Sequence, residues 1–297
     1  MRGLIIKALS GFYYVLTEVG VVECKARGKF RNDKLSPLVG DNVEITIQDG
    51  KGTVDKIYGR KNQLDRPPVA NIDKLFIVSS ATTPSPNLLL IDRLTAICEF
   101  KSIVPIIVFN KTDAGDVSFY SQKYRSVGYK TIECSAILGS GIDEFLNELK
   151  NSISAFTGNS GVGKSSLLNV LFPELSLETG EVSEKLGRGR HTTRHTELIA
   201  HPFDGFVADT PGFSSLEEDM KSIEFKDALA DCFTEFRDFV GLCKFADCKH
   251  IGERGCAVCG ATDSGEIDKD RYASYLTLYN ELKDLKPWNI TKKSDAK

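Results

Sequence analysis

The stretch Gly158-Asn159-Ser160-Gly161-Val162-Gly163-Lys164-Ser165 constrains this chain more than any other. Its Gly-x4-Gly-Lys-Ser spacing lets successive backbone N–H groups turn inward, which makes an anion-binding nest at the start of a helix. Such a loop has to run from a strand into a helix. Ile153-Ser154-Ala155-Phe156-Thr157 before it is strand-like, and Ser165 to Leu171 after it continues as a helix. Its companions sit in an unusual order. Asn110-Lys111-Thr112-Asp113 comes first, then Ser135-Ala136, then the phosphate loop, and Asp209-Thr210-Pro211-Gly212 comes last.

In a Ras-like GTPase the phosphate loop opens the domain and the Asn-Lys-x-Asp element comes late. The same parts in rotated order indicate a circularly permuted domain. From about residue 70 strand-like runs alternate with helical ones: Lys74 to Ser79, Leu88 to Phe100, Ile103 to Phe109, Lys130 to Cys134 and Phe206 to Asp209. That alternation implies a mostly parallel sheet covered on both faces, with ligands at the C-terminal ends of its strands, where every motif falls.

The nucleotide chemistry follows from residue types. Gly158, Asn159, Ser160, Gly161, Val162, Gly163, Lys164, Ser165 and Ser166 form the phosphate-binding stretch, with Lys164 reaching the β and γ phosphates and the Ser165 hydroxyl ligating Mg²⁺. Asp209 ends a strand, placed to hold Mg²⁺, and Gly212 can offer its N–H to the γ phosphate. The Asp113 carboxylate can accept from guanine N1–H and the exocyclic amine together, whereas adenine would leave it unpaired; GTP is therefore expected over ATP. Asn110 and Lys111 complete that element, the lysine stem lying along the base, and Ser135-Ala136 supplies a backbone N–H to the guanine O6. The first switch should lie in Gly187-Arg188-Gly189-Arg190-His191-Thr192-Thr193-Arg194-His195, where Thr192 or Thr193 can complete Mg²⁺ coordination. Phe213 stands where a Ras-like enzyme has its water-orienting glutamine, so intrinsic hydrolysis should be slow unless another residue helps. His191 can hold a water; equally, with Arg188 and Arg190, it can serve only to touch a polyanion.

Around this centre the composition changes. Residues 1–65 read as all-β: Phe12 to Leu16, Val19 to Cys24, Val39 to Ile47 and Gly52 to Ile57 suit a small closed barrel such as an OB-fold. Arg66-Pro67-Pro68 is expected to end strand pairing and mark the boundary with a central domain of residues 66–220. Residues 221–297 read as helical, with Tyr272, Tyr275, Leu276, Tyr279 and Leu282 on one packing face and a disordered tail.

The net charge of −3 does not by itself suggest a nucleic-acid binder, but Lys25, Arg27, Lys29, Arg31 and Lys34 cluster near the N-terminus. They suit either phosphate contact or a solvated face. No apolar run approaches the roughly eighteen residues of a membrane span, and the N-terminus has too short an apolar stretch for a secretory signal, so a cytoplasmic location is expected. In a reducing cytosol Cys243, Cys248, Cys256 and Cys259, within seventeen positions, read as metal ligands. Cys243-x4-Cys248-x-His250-x5-Cys256 suits a closed tetrahedral Zn²⁺ site. By spacing alone, His250 or Cys259 could be the fourth ligand.

Together these residues resemble the circularly permuted, ribosome small-subunit-dependent GTPase family (ribosome small subunit-dependent GTPase A). The resemblance spans nearly the whole chain and rests on the motif order, Gly187 to Thr193, Asp209 to Phe213 and the Cys-Cys-His-Cys cluster. It implies an N-terminal OB-fold barrel, a central α/β circularly permuted P-loop GTPase domain and a C-terminal helical zinc-binding domain. It further implies a late assembly factor of the small (30S) subunit that binds GTP/GDP, Mg²⁺, one structural Zn²⁺ and 16S rRNA and is stimulated by that subunit; nothing in the sequence demands more than a monomer. It makes Thr193 the switch threonine, His191 the hydrolysis-supporting residue, and Cys243, Cys248, His250 and Cys256 the zinc ligands, with Cys259 outside. A permuted GTPase of the large subunit fits the barrel and cysteine cluster less well. A GTP-dependent RNA-binding module with little catalysis is the reading that Phe213 keeps open.

Overall fold

The computed structural model describes residues 1–28, 30, 35–48, 50–65, 67–173, 196–202, 204–209 (Asp209 by its backbone) and 222–285. The residues expected to form the first switch, Arg188, Arg190, His191, Thr192, Thr193, Arg194 and His195, the segment Thr210 to Phe213 with Gly212, and Lys29, Arg31 and Lys34 lie outside the described residues.

Five strands close the N-terminal barrel: β1 (Arg2–Leu9), β2 (Phe12–Thr17), β3 (Gly20–Ala26), β4 (Asn42–Gln48) and β5 (Lys51–Ile57). Period-two alternation turns Val15, Cys24, Val43, Ile45 and Val54 inward, each buried. Neighbouring strands run antiparallel except β3 and β5, and β4 returns to pair with β1, which leaves no open edge. β1 was not expected as a strand. Its run Leu4-Ile5-Ile6 shows no alternation, because Ile5 is buried in the barrel while Leu4 and Ile6 pack against the core from the other face.

Strands β6 (Gln63–Asp65) and β7 (Pro68–Ala70) form a small hairpin that corrects the expected linker. Asp65 is in register with Pro68, so the proline pair sits at a turn and does not end strand pairing. The hairpin is seated on the barrel, with Val69 bridging Val39 and Asn71 Nδ2 donating to the Gly40 carbonyl at 2.8 Å.

The central sheet comprises β8 (Lys74–Ser80), β9 (Val104–Asn110), β10 (Lys130–Glu133), β11 (Ile153–Thr157), β12 (Glu197–His201) and β13 (Gly205–Asp209). Their lateral order is β10-β9-β8-β11-β13-β12, all parallel but β12. Alternation sorts the two faces. Phe76, Ile106, Val108, Ile132 and Phe156 meet α3 (Ile142–Leu149) and α4 (Lys164–Leu171), with Phe76 and Phe145 stacked at 4.6 Å. Leu75, Ile77, Ile107 and Phe109 face α1 (Leu88–Lys101) and α2 (Ser118–Ser126). β12 also pairs with β1 through the single register Lys7↔Glu197, so the barrel and the central domain share one eleven-stranded sheet.

The C-terminal unit holds α5 (Ile223–Ala228), a 3₁₀ turn at Thr234–Phe236, α6 (Ala257–Ser264) and α7 (Lys269–Leu282). The expected tyrosine stripe packs against the core, Tyr275 and Leu282 most deeply, and the buried face extends beyond it. The buried face of α7 is Arg271, Ser274, Tyr275, Leu278 and Leu282, while Tyr272, Leu276 and Tyr279 are half-buried. Arg271, 1% exposed, joins three elements. Its guanidinium donates to Asp92 of α1 at 2.8 Å and to both Glu235 carboxylate oxygens at 2.6 and 2.9 Å. Phe233 lies 4.8 Å from the guanidinium carbon, and Tyr124 of α2 donates to the same Asp92 oxygen at 2.8 Å. The C-terminal unit is thus fastened to the helices that follow β8 and the Asn110 motif. Among the described residues no helix is long and apolar enough to cross a membrane.

Candidate active site and metal centre

Because β8, β9, β10, β11 and β13 are parallel, their C-terminal ends form one rim. Ser135, Asn110, Ser80, Gly158 and Asp209 stand along it in that lateral order, although they are far apart in sequence. The permutation moves the chain ends and leaves this rim intact.

The phosphate loop leaves β11 in conformations only glycine adopts easily, with φ of +143° at Gly158, +81° at Gly161 and +88° at Gly163. A Cβ at Gly158 would lie 2.1 Å from the Val78 carbonyl oxygen, and one at Gly163 would lie 2.5 Å from Asn110 Nδ2. Both glycines are therefore also required by close approach. Lys164 begins α4, and its ammonium donates to the Gly158 and Asn159 carbonyls at 2.6 and 2.8 Å. Burial holds its pKa below the ordinary lysine value. Ser165 and Ser166 follow in the first turn, and Leu167 N–H closes that turn on the Gly163 carbonyl at 2.9 Å.

Asn110 ties the motifs together. It is 1% exposed; its Nδ2 donates to the Val162 carbonyl at 3.1 Å, and its Oδ1 accepts from Ala136 N–H at 3.2 Å. One side chain thus sets the spacing between the phosphate loop and the Ser135-Ala136 loop. Lys111, at φ +66°, donates from Nζ to the Gly161 and Thr83 carbonyls at 2.7 and 2.8 Å. The Asp113 carboxylate accepts a short hydrogen bond from the Ser135 hydroxyl, which orients it at the exposed end of the rim. Asp209 ends β13, in register with Glu197 of β12. His191, Thr193 and Gly212, assigned to the switches, lie outside the described residues.

One contributor was missed. The segment after β8 brings the Thr83 carbonyl to Lys111, and Ala81 N–H donates to the Asn110 carbonyl at 2.8 Å. Its polar run Ser79 to Ser85, between a buried strand and a helix, was the available signal, since connections at the C-terminal ends of parallel strands line the ligand crevice.

The donor set fits a nucleotide triphosphate with a divalent ion. Ser165, and Asp209 at the end of β13, would hold Mg²⁺, which when bound would offset charge on the phosphate oxygens. The nest glycines and Lys164 would hold those phosphates, and Asp113 would read the base.

In the C-terminal unit the ligand atoms of Cys243, Cys248, His250 and Cys256 all lie within 4.8 Å of one another. His250 Nδ1 is 3.5 Å from Cys243 Sγ and 3.4 Å from Cys256 Sγ, and those two sulfurs are 3.9 Å apart. A tetrahedral zinc with ordinary bond lengths requires edges of about 3.8 Å between sulfurs and about 3.6 Å between sulfur and nitrogen. The Ala257 N–H donates to Cys243 Sγ at 3.3 Å and the Cys259 N–H to Cys256 Sγ at 3.4 Å, contacts that favour thiolates. Burial lowers the His250 pKa and favours the neutral imidazole a metal needs. Cys259 is not in this cluster. The tyrosines of α7 support the ligand loop from behind: Tyr272 OH donates to the His250 carbonyl at 3.0 Å and Tyr275 OH to the Lys249 carbonyl at 2.5 Å.

This arrangement leads to an expected result for metal removal. A strong chelator should speed proteolysis within residues 242–255 by about tenfold or more, with little loss of helical circular dichroism, because the core of α7 does not depend on the ligands. A cleavage pattern indifferent to chelation would remove the metal from the account.

Comparison with known proteins gives a consistent picture. Residues 57–219 match the family model described as RsgA GTPase, and residues 2–54 match that of the RsgA N-terminal domain. A relative from Caldanaerobacter subterraneus subsp. tengcongensis, named Small ribosomal subunit biogenesis GTPase RsgA, is 46% identical over 96% of both chains. One of the same name from Geobacillus sp. (strain WCH70) is 48% identical over 96% of this chain and 99% of its own. Among solved structures, YloQ, described as a circularly permuted GTPase, superposes with a TM-score of 0.78 at 38% identity over 96% of both chains. YjeQ from Thermotoga maritima does so with a TM-score of 0.81 at 35% identity, over 96% of this chain and 99% of its own.

Proposed function

The chain belongs to the RsgA GTPase family, and on that premise we propose that it couples GTP hydrolysis to late maturation of the small ribosomal subunit in the cytoplasm, as a monomer that contacts 16S rRNA. The observation that carries the GTP reading is Asn110, whose single buried amide joins the phosphate loop to the Ser135-Ala136 loop and so sets base and phosphate subsites at one distance. The names of the relatives support the small subunit as the place of action.

In this reading residues 1–65 are the RNA-contacting barrel, residues 66–220 the GTPase domain and residues 221–297 a zinc-supported domain. Lys164 stabilises charge on the β and γ phosphates, Asp113 selects guanine, and the nest amides hold the phosphates in line for attack by water. His191 holds that water, in the role Phe213 cannot fill, and Thr193 follows the γ phosphate. On the barrel, Lys25 lies over the Phe12 ring at 4.8 Å and Arg27 pairs with Asp55 at 2.7 Å, a basic and aromatic surface suited to RNA. Arg271 fastens α7 to α1, so the C-terminal unit is tied to the GTPase domain.

The test is GTP turnover by the purified protein, alone and with isolated ribosomal subunits. Small but not large subunits should raise turnover by about two orders of magnitude or more, within the range known for activated GTPases. Lys164→Ala should abolish it, and His191→Ala should remove most of the stimulation while nucleotide binding persists. Equal stimulation by both subunits would sink the small-subunit assignment, and unaltered stimulation in His191→Ala would sink the role of His191.

A further inference from the structure

The cysteine cluster holds one thiol more than its metal needs. Cys256 and Cys259 form a Cys-x-x-Cys pair at the start of α6, where Cys256 is the N-cap. Cys256 belongs to the four-ligand cluster and Cys259 does not. The Cys259 N–H nevertheless donates to Cys256 Sγ at 3.4 Å, so both side chains belong to the first turn of α6. Cys259 Sγ lies 3.2 Å from the Tyr272 hydroxyl, which also donates to the His250 carbonyl at 3.0 Å. Cys259 is therefore held beside a metal ligand without being one itself. Both cysteines line one cavity of about 550 Å³, open to solvent and bounded by Glu253, Asp263 and Tyr272.

We propose that Cys256 and Cys259 are a peroxide-sensitive pair, in which Cys259 is the resolving thiol that converts oxidation of the metal centre into a reversible disulfide. The proposal rests on the metal-binding reading above. The Cys256 thiolate attacks hydrogen peroxide, the O–O bond breaks, and one water leaves with a proton from solvent, giving a sulfenic acid on Cys256. The Cys259 sulfur then attacks the Cys256 sulfur; the S–O bond breaks and the hydroxyl leaves as a second water with the Cys259 proton. In sum, one thiolate, one thiol, one peroxide and one proton give one disulfide and two waters, the two sulfurs supplying both electrons. Cys256 would then no longer be available as a ligand, and a zinc held by the four residues would be released. The other three ligand residues are spread over positions 243–250, and none has a neighbouring thiol that is free of the metal.

The consequence is a switch between an ordered and a released ligand loop. With zinc in place, residues 243–256 are held against α7 by the bonds from Tyr272 and Tyr275. With Cys256 joined to Cys259, the loop loses its metal while α7 remains fastened through Arg271.

The test uses the full-length, zinc-loaded protein. Zinc content before oxidation reports the metal-binding reading on its own: a protein isolated with no zinc ends that reading, whatever follows. Hydrogen peroxide is then added, zinc release is followed with a chromogenic chelator, and the cysteines are mapped by mass spectrometry before and after a thiol reductant. The expected result is zinc loss together with a Cys256–Cys259 disulfide, and recovery of zinc binding after reduction. Cys259→Ser, which keeps all four ligands and so its zinc, should instead over-oxidise at Cys256 and fail to recover. A wild-type map in which Cys259 stays a free thiol after zinc has left would overturn the proposal. So would recovery of Cys259→Ser to the wild-type extent.

Discussion

Asp113→Asn will turn this protein from a GTP binder into a xanthosine triphosphate binder. Guanine presents two donors, N1–H and the 2-amine, to the Asp113 carboxylate. Xanthine keeps N1–H and has a carbonyl in place of the amine. A carboxylate satisfies the first pattern, and an amide, with one acceptor and a donating NH₂, satisfies the second. Two hydrogen bonds to a charged acceptor carry about 3–4 kcal/mol, so GTP affinity should fall by roughly two to three orders of magnitude while xanthosine triphosphate gains comparably. The Ser135 hydroxyl that orients Asp113 can still donate to the asparagine oxygen, so the loop should keep its shape. Titration with fluorescent forms of both nucleotides measures the exchange. A GTP affinity that survives the substitution would show that Asp113 does not read the base, and the assignment of GTP over ATP would fall with it.

Arg271→Ala should be the most destabilising single substitution proposed for this chain. The arginine is 1% exposed, and its two carboxylate partners are equally enclosed, with 1% side-chain exposure at Asp92 and 7% at Glu235. Truncation leaves both negative charges buried without a cation and removes the group stacked beside Phe233. Breaking a buried ion pair by deleting one partner costs about 3–5 kcal/mol. Arg271→Lys should recover only part of this, because an ammonium lacks the fork that bonds both Glu235 oxygens at once. Glu281→Ala, which removes the more exposed partner (45%) of the Arg93–Glu281 pair, serves as the control and should cost about 1 kcal/mol or less. Chemical denaturation of the three variants gives the comparison. A loss at Arg271→Ala no larger than at the control would mean that the C-terminal unit is held to α1 by apolar packing alone.

The chemistry of both sites was legible because each motif is contiguous and its function is local. A phosphate nest needs Gly158, Gly161 and Gly163 within six positions of one another, and a zinc cluster needs four ligands on one short loop. Those spacings survive any rearrangement of the chain, including the permutation. The order of motifs also required a rim of parallel strand ends, and the lateral order β10-β9-β8-β11-β13 forms it. Strand pairing was expected to end at Arg66 to Pro68 and does not, because proline at a strand edge, as at Pro68 in β7, costs no ladder hydrogen bond.

The residues that join the parts together were of another kind. β1 shows no alternation, since apolar contacts cover both its faces, and β12 was not foreseen as a strand; yet these two, paired at Lys7 and Glu197, make one sheet of the barrel and the GTPase domain. Arg271 carries the C-terminal unit, but an apolar periodicity passes over a charge, and its partners Asp92 and Glu235 lie far away in the chain. Lys111 and Thr83 meet only because β8 and β9 are neighbours. The amino-acid order alone thus located the phosphate loop and the Cys-Cys-His-Cys cluster, because each depends on a few donors and acceptors at short spacing. How its three units are fixed to one another was settled only on folding, because a buried charge or a doubly covered strand is defined by what distant segments bring to it.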